Sequence, residues 1–208
     1  MDDVANMTKN SGSIRVMEKP DWISYDQIHD LLYQAHESNR EKGFDVKTAH
    51  MTGEELEKHI GETGKCFVAL DGDKLVGTTS YRILDRDYWC AKGKVVDRVL
   101  AGVSPDYKGK HISSMLFSKI VEIAKLEGYQ YIESRTAEEN EIVQKINIKD
   151  GYRYIDFLST KTDHYTVVML QWLNECPYSK WRTNLHFKWR RMLIKLRYKR
   201  GRIKRFGI

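Results

Sequence analysis

The segment Leu100-Ala-Gly-Val-Ser-Pro-Asp-Tyr-Lys-Gly-Lys-His-Ile-Ser-Ser-Met-Leu116 holds the residue types and spacing best suited to bind an anion. An apolar stretch closes at Val103, Pro105 breaks it, and a helical pattern begins near Gly109. The first turn of a helix leaves backbone N–H groups unpaired and concentrates partial positive charge there. A diphosphate can be held at such a place by main-chain donors alone. Lys108 and Lys110 add charge, and Gly109 lets the backbone approach closely.

The surrounding elements must position that turn. Ser13 to Glu18 reads as a first strand, and Ile23 to Asn39 repeats apolar residues at Ile28, Leu31, Leu32 and Ala35 with a helical period. Thr52-Gly-Glu-Glu55 has the form of a capping box and predicts a short helix. Lys65 to Leu70 and Lys74 to Tyr81, joined by Asp71-Gly72-Asp73, predict a hairpin. A strand over about Val95 to Val103 leads into a helix from Gly109 to Gly128, with Ile112, Leu116, Ile120, Ile123 and Ala124 on one face. Tyr129 to Arg135 is then a strand and Asn140 to Lys149 a short helix. Tyr154 to Leu158 and Thr166 to Trp172 are two further strands. This order predicts an α/β domain around one mixed sheet.

The 208 residues suit one domain with an appendage. Residues 1–13 are polar and read as a disordered lead, 14–174 as the domain and 175–208 as a basic tail. No apolar run approaches the roughly 20 residues of a membrane span, and the N-terminal stretch lacks the apolar core of a signal peptide. Cys66, Cys90 and Cys176 are far apart, and the histidines show no metal-ligand spacing, so neither a disulfide framework nor a metal site is expected. A reducing, cytoplasmic setting fits these features.

The turn resembles the acyl-CoA signature of the GNAT acetyltransferase family, V-x-P-x-Y-R-G-K-G-I-G, on Val103, Pro105, Tyr107, Lys108, Gly109, Lys110, His111, Ile112 and Ser113. Downstream, Asn140, Lys149 and Gly151-Tyr152 are similar to the family's N-x-x-A-x-x-L-Y-x-K-x-G-F. The resemblance implies the GNAT fold, a central mixed and mostly antiparallel sheet flanked by helices. It also implies N-acetyl transfer from acetyl-CoA to a small-molecule primary amine by direct attack in a ternary complex. The family binds the pantetheine arm in a split between its fourth and fifth strands, which would use the backbone near Ala101 and Val103. The diphosphate would sit over Lys108 to Ser114, with Asn140 nearby. An N–H near Val103 would support the oxyanion.

This chain departs from the pattern in four places. His111 stands at a favoured glycine, Ser113 at Gly or Ala, Lys108 at the usual Arg or Gln, and Asn147 at the position of a tyrosine acid. These departures leave open a second reading, an acyl-CoA-binding module with weak catalysis. For the base that takes the amine proton, the candidates are Asp97 and Glu133. On simple alternation Asp97 shares a face with Val99, Ala101 and Val103, and Glu133 lies on the neighbouring strand, so the two are expected on opposite walls of the split. Burial would raise the pKa of either one towards the range a base needs. Both carboxylates also have the plain reading of paired strand charges. Tyr81, Tyr88, Trp89 and Tyr131 read as acceptor lining or as core.

Residues 180–205 hold twelve Lys/Arg and no acid, which leaves 23 basic residues against all 29 acidic ones elsewhere; the tail is +12 and the remainder −6. Trp181, Leu185, Trp189, Met192 and Leu196 recur on one helical face. Three readings stand open. The tail lies on an anionic membrane surface at its inner face, it packs on the domain, or it binds nucleic acid. A membrane location would suit an amino sugar of envelope polysaccharide assembly as acceptor, and a small metabolite amine and a protein lysine stay open beside it.

Overall fold

The computed structural model describes residues 14–41, 43, 47–159 and 165–205. The expected lead, 1–13, lies outside them. The chain runs through β1 (Arg15–Glu18), α1 (Tyr25–Ala35), α2 (Glu37–Glu41), a 3-10 turn at Lys47–His50 and α3 (Gly53–Ile60). It continues through β2 (Lys65–Asp71), β3 (Lys74–Tyr88), β4 (Ala91–Val103), a 3-10 turn at Pro105–Tyr107 and α4 (Ile112–Leu126). The remainder is β5 (Tyr131–Ala137), α5 (Glu141–Lys149), β6 (Arg153–Ser159), β7 (Tyr165–Trp172) and α6 (Lys180–Arg205). The seven strands form one sheet in the order β1-β2-β3-β4-β5-β7-β6. Among the described residues β4 and β5 pair in parallel and the other neighbours are antiparallel.

Alternation along the strands divides the core between two sheet faces. On one face α4 sets Ile112, Leu116 and Ile120 against Phe67, Val96, Ile132 and Met169. On the other, Ile28 and Leu32 of α1 and Leu56 of α3 cover Cys66, Val68 and Leu70. Both early helices start as their side chains dictate. Ser24 and Gln27 form a capping box for α1, as Thr52 and Glu55 do for α3. The first helix is shorter than its periodicity suggests and closes at His36, whose N–H returns to Leu32. Gly102 of β4 lets α1 pack closely, because a Cβ there would stand 3.0 Å from Leu32 Cδ2.

The β3–β4 hairpin is longer than expected. It reaches Tyr88 and restarts at Ala91 around a two-residue turn, adding pairs such as Arg82↔Asp97 and Arg86↔Gly93. Residues 82–94 are rich in charge and lack an Asn-Gly or Asp-Gly turn signal, so sequence patterning passes over them. The hairpin tip folds over the far end of the sheet, where Trp89 Nε1 donates to the Ile155 carbonyl at 3.1 Å.

Candidate functional site

β4 and β5 separate soon after they meet. Their pairing covers only Val96–Arg98 against Ile132–Ser134. Beyond it, β4 stays paired to β3 as far as Val103↔Gly77, and β5 stays paired to β7 as far as Ala137↔Thr166. The facing edges of β4 and β5 are left open, as a wedge with its apex at Arg98 and Ser134. An unpaired strand edge is a ready template for the amide groups of an extended ligand.

A bulge shapes the β4 wall. The register passes from Ser80↔Val99 to Thr78↔Gly102, which inserts one residue into β4. Leu100 carries the distortion at φ 51 and is buried among the α1 and α3 residues. The inserted residue reverses the facing of the rest of the strand. Asp97 and Val99 face α1 and α3, but Val103 packs on the α4 side and Ala101 is exposed. Simple alternation from Asp97 to Ala101 and Val103 is therefore corrected.

At the mouth of the wedge lies the turn before α4. The helix begins at Ile112, three residues later than its sequence pattern suggests. Gly109 and His111 both have positive φ, at 82 and 60. This explains the glycine preference at the second position: His111 occupies a left-handed conformation that costs an L-residue roughly 1–2 kcal/mol. The N–H groups of Gly109, His111, Ile112, Ser113 and Ser114 have no acceptor among the described residues. Successive N–H groups in such a turn form a concave anion site. Ile112 anchors it by burying its side chain in the core, while Lys108, Ser113 and Ser114 are exposed. Lys110 folds back, its Nζ 4.3 Å from the centre of the Tyr107 ring. Tyr107 in turn donates to Asp71 at 2.8 Å. Asn140 caps α5, its Oδ1 accepting from Val143 N–H at 3.3 Å.

Asp97 and Glu133 are direct register partners in the closed part of the wedge, side by side on the face away from α4. Each wall carries one of them, as expected, and the parallel register sets both on one sheet face at the apex rather than along the open part. Neither stands as an isolated buried acid. Asp97 Oδ2 accepts from Arg82 Nε at 2.8 Å, and its Oδ1 accepts no hydrogen bond among the described residues. Glu133 is fully buried and satisfied at both oxygens, by Tyr88 Oη at 2.6 Å and by Arg135, with Arg86 at 3.5 Å. Burial, then the neighbouring Glu133, pushes the Tyr88 hydroxyl above its ordinary pKa.

Two site residues escape a reading by motif. Arg98 lies on the α4 side of the apex, donating to Asn147 Oδ1 at 2.7 Å and to Ser134 Oγ at 3.5 Å. Its guanidinium also lies 4.9 Å from the Phe117 ring centre. Asn147, at the position of the family's tyrosine acid, is fully buried and donates to Ser134 Oγ at 3.0 Å. An arginine beside Asp97 in the mostly apolar stretch Val95 to Val103 was the available signal. The second is His36. One ring nitrogen lies 3.0 Å from Asn39 Nδ2, and the ring also bonds the Ala101 carbonyl on the β4 wall.

Burial lowers the pKa of His36, and Arg40 and Lys108 lower it further against the opposing bond to Ala101. The fold therefore prefers neutral His36, and the unfolded chain takes up the proton first. Stability from this group is complete above about 6.5, the ordinary histidine value, and is lost as the pH falls through the lowered folded value. Thermal melts between these limits are expected to fall with pH, and His36→Gln is expected to flatten the slope. His186, also lowered by burial, accounts for what slope remains. An unchanged slope in His36→Gln would exclude this assignment.

Known proteins share this fold. A family model described as the acetyltransferase (GNAT) family matches residues 25–146. The fold is similar to a GNAT-family acetyltransferase from Staphylococcus aureus Mu50, at TM-score 0.61 and 15% identity, over 78% of this chain and 100% of that one. It is similar to the ribosomal-protein-S18-alanine N-acetyltransferase of Escherichia coli, at TM-score 0.59 and 10% identity, over 78% and 96%. A third likeness is a GNAT-family acetyltransferase from Elizabethkingia anophelis with acetyl-CoA bound, at TM-score 0.55 and 13% identity, over 79% and 99%. A search of curated sequences gave no match. With more than half of the chain inside the family model, and with the wedge and turn in place, the chain belongs to the GNAT acetyltransferase family.

Proposed function

We propose that the protein transfers the acetyl group of acetyl-CoA to a primary amine within the wedge between β4 and β5. The observation that carries this reading is the set of unpaired N–H groups of Gly109 and of His111 to Ser114, set beside an unpaired strand edge. The diphosphate is held by those donors, with Lys108 adding charge. The pantetheine arm lies along Ala101 to Val103. Fold relatives solved with coenzyme A or acetyl-CoA support this choice of donor.

The reaction forms a bond from the amine nitrogen to the thioester carbon and breaks the carbon–sulfur bond. Coenzyme A leaves as the thiolate, and one proton leaves the amine. Asp97 is the better base of the two carboxylates, because Oδ1 is uncommitted while both oxygens of Glu133 are engaged. A main-chain N–H near Val103 supports the oxyanion. Arg98 supplies positive charge at the apex for the departing thiolate, in place of the missing tyrosine acid. Arg98→Met is expected to lower kcat by about 10²-fold while KM for acetyl-CoA changes little, and Arg98→Lys to restore part of the loss. An Arg98→Met enzyme with unaltered kcat removes Arg98 from the mechanism.

The acceptor we favour is an amino sugar used in envelope polysaccharide assembly, prompted by the basic helix α6. The test is incubation with acetyl-CoA and a panel of amino sugars, amino acids and polyamines, with release of free thiol as the readout. Thiol release above background with an amino sugar is the expected result. A thermal shift with acetyl-CoA but no turnover on any amine would favour the binding-module reading. Absence of any shift with coenzyme A or acetyl-CoA would overturn both.

A further inference from the structure

The helix α6 has two apolar sides, and the domain uses only one. Its docking residues are Thr183, Phe187, Arg190 and Ile194. Thr183 is fully buried, and Phe187 and Ile194 pack against the core cluster beneath α4. Phe187 stacks on Tyr154 with ring centres 4.7 Å apart, and Arg190 Nε donates to Asp156 at 2.7 Å. Arg191 and Lys195 both reach Glu138. This side of the helix is satisfied by the domain.

The stripe that periodicity marks as the apolar face points elsewhere. Trp181, Leu185, Trp189, Met192 and Leu196 are 68, 58, 50, 53 and 46% exposed. At about 100° per residue these five span roughly 80°, nearly opposite the docking residues. They form a strip about 22 Å long. Arg182 and Lys188 border it on its two sides, both exposed and without an acidic partner among the described residues. Large apolar residues kept contiguous on a surface mark a place of contact.

We infer that this strip lies on an anionic lipid surface, with α6 held in the membrane plane between the bilayer and the domain. The charge decides among occupants. Residues 180–205 hold twelve basic residues and no acid. Pairing two copies strip to strip would bring two such helices within about 10 Å, with no acid on either helix and with Asp156 and Glu138 of the domain engaging only Arg190, Arg191 and Lys195. Nucleic acid would engage the lysines and arginines but leave two tryptophans and three aliphatic side chains in water. An anionic bilayer takes both parts: the apolar strip enters the boundary below the headgroups, and the flanking cations meet lipid phosphate. The helix is suited to lie on a bilayer, not to cross it, since none of the described helices is long and apolar enough to span one.

The test uses the full chain and sedimentation with large vesicles. One set is phosphatidylcholine alone; the other includes about one third phosphatidylglycerol. Binding to the anionic set about tenfold or more tighter than to the neutral set, weakened by salt, is expected. Leu185→Glu and Trp189→Ser, both at exposed positions, are expected to lower that binding by about tenfold or more with melting temperature and soluble-amine turnover unchanged. No preference for anionic vesicles overturns the inference. So does binding that both substitutions leave intact, a dimer in solution that Leu185→Glu dissolves, or duplex DNA binding tighter than vesicle binding. Turnover on soluble amines is read separately, so failure here is distinct from failure of the catalytic reading.

Discussion

Asp97→Asn is expected to reduce kcat by about 10²–10⁴-fold, the usual contribution of a positioned general base. The substitution keeps the shape of the side chain and leaves an oxygen to accept from Arg82, which now holds Asp97 at 2.8 Å. What it removes is the second, uncommitted oxygen as a proton acceptor. KM for acetyl-CoA should stay within a few-fold, because the donors at Gly109 to Ser114 are untouched. The loss of hydrogen-bond strength to Arg82 is expected to cost about 1–3 kcal/mol of stability, so a melt establishes that the variant is folded at the assay temperature. A fall in kcat in a variant whose melt and KM for acetyl-CoA stay close to the parent's separates a base from a structural charge. A fully active Asp97→Asn enzyme would remove Asp97 from the chemistry and leave the amine to lose its proton to water.

Glu133→Ala is expected to be the most destabilising single change at the site. Glu133 has no exposed surface, and its removal leaves Arg86, Arg135 and the Tyr88 hydroxyl facing one another without their shared acceptor. Breaking a buried pair in this way costs roughly 3–5 kcal/mol. Arg86 and Arg135 keep 26% and 34% of their side-chain surface, so water relieves part of the stranded charge and places the cost near 3 kcal/mol. A loss of that size is a large share of the total of about 5–15 kcal/mol that holds a domain together. Glu133→Gln retains an acceptor for Tyr88 and should cost about 1–3 kcal/mol. Urea unfolding of both variants provides the measurement. Adding Arg135→Met to Glu133→Ala should recover part of the loss, since it removes one stranded cation. Equal stability of Glu133→Ala and the parent chain would show that these charges do not organise the sheet apex.

The two carboxylates illustrate how residue type and residue partnership are read differently. Acidic residues inside apolar strands stand out from the sequence alone, and both are buried at the strand junction. Their counter-charges do not stand out. Arg82 and Arg86 lie in a charged stretch that has no strand-like alternation, and Arg135 meets Tyr88 across 47 residues. The facing of Asp97 relative to Ala101 and Val103 is hidden for a different reason. A bulge adds a residue without any composition signature, and Leu100 is not a residue type that announces positive φ.

What the sequence by itself determined is local. The capped starts of α1 and α3, the apolar stripe of α4 and the glycine turn before it all depend on residues within a few positions of one another. Spacing within a helix or a turn is fixed by covalent geometry and short hydrogen bonds, so it can be read directly. Only the tertiary structure decided the wedge, its apex charges and the orientation of α6. Sheet register is set across strands far apart in sequence, and a helix with two apolar sides can dock by either one. The side of α6 chosen is the one whose Phe187 and Arg190 find Tyr154 and Asp156 on β6. That choice leaves the tryptophan strip outward, although periodicity alone marks it as the face to bury.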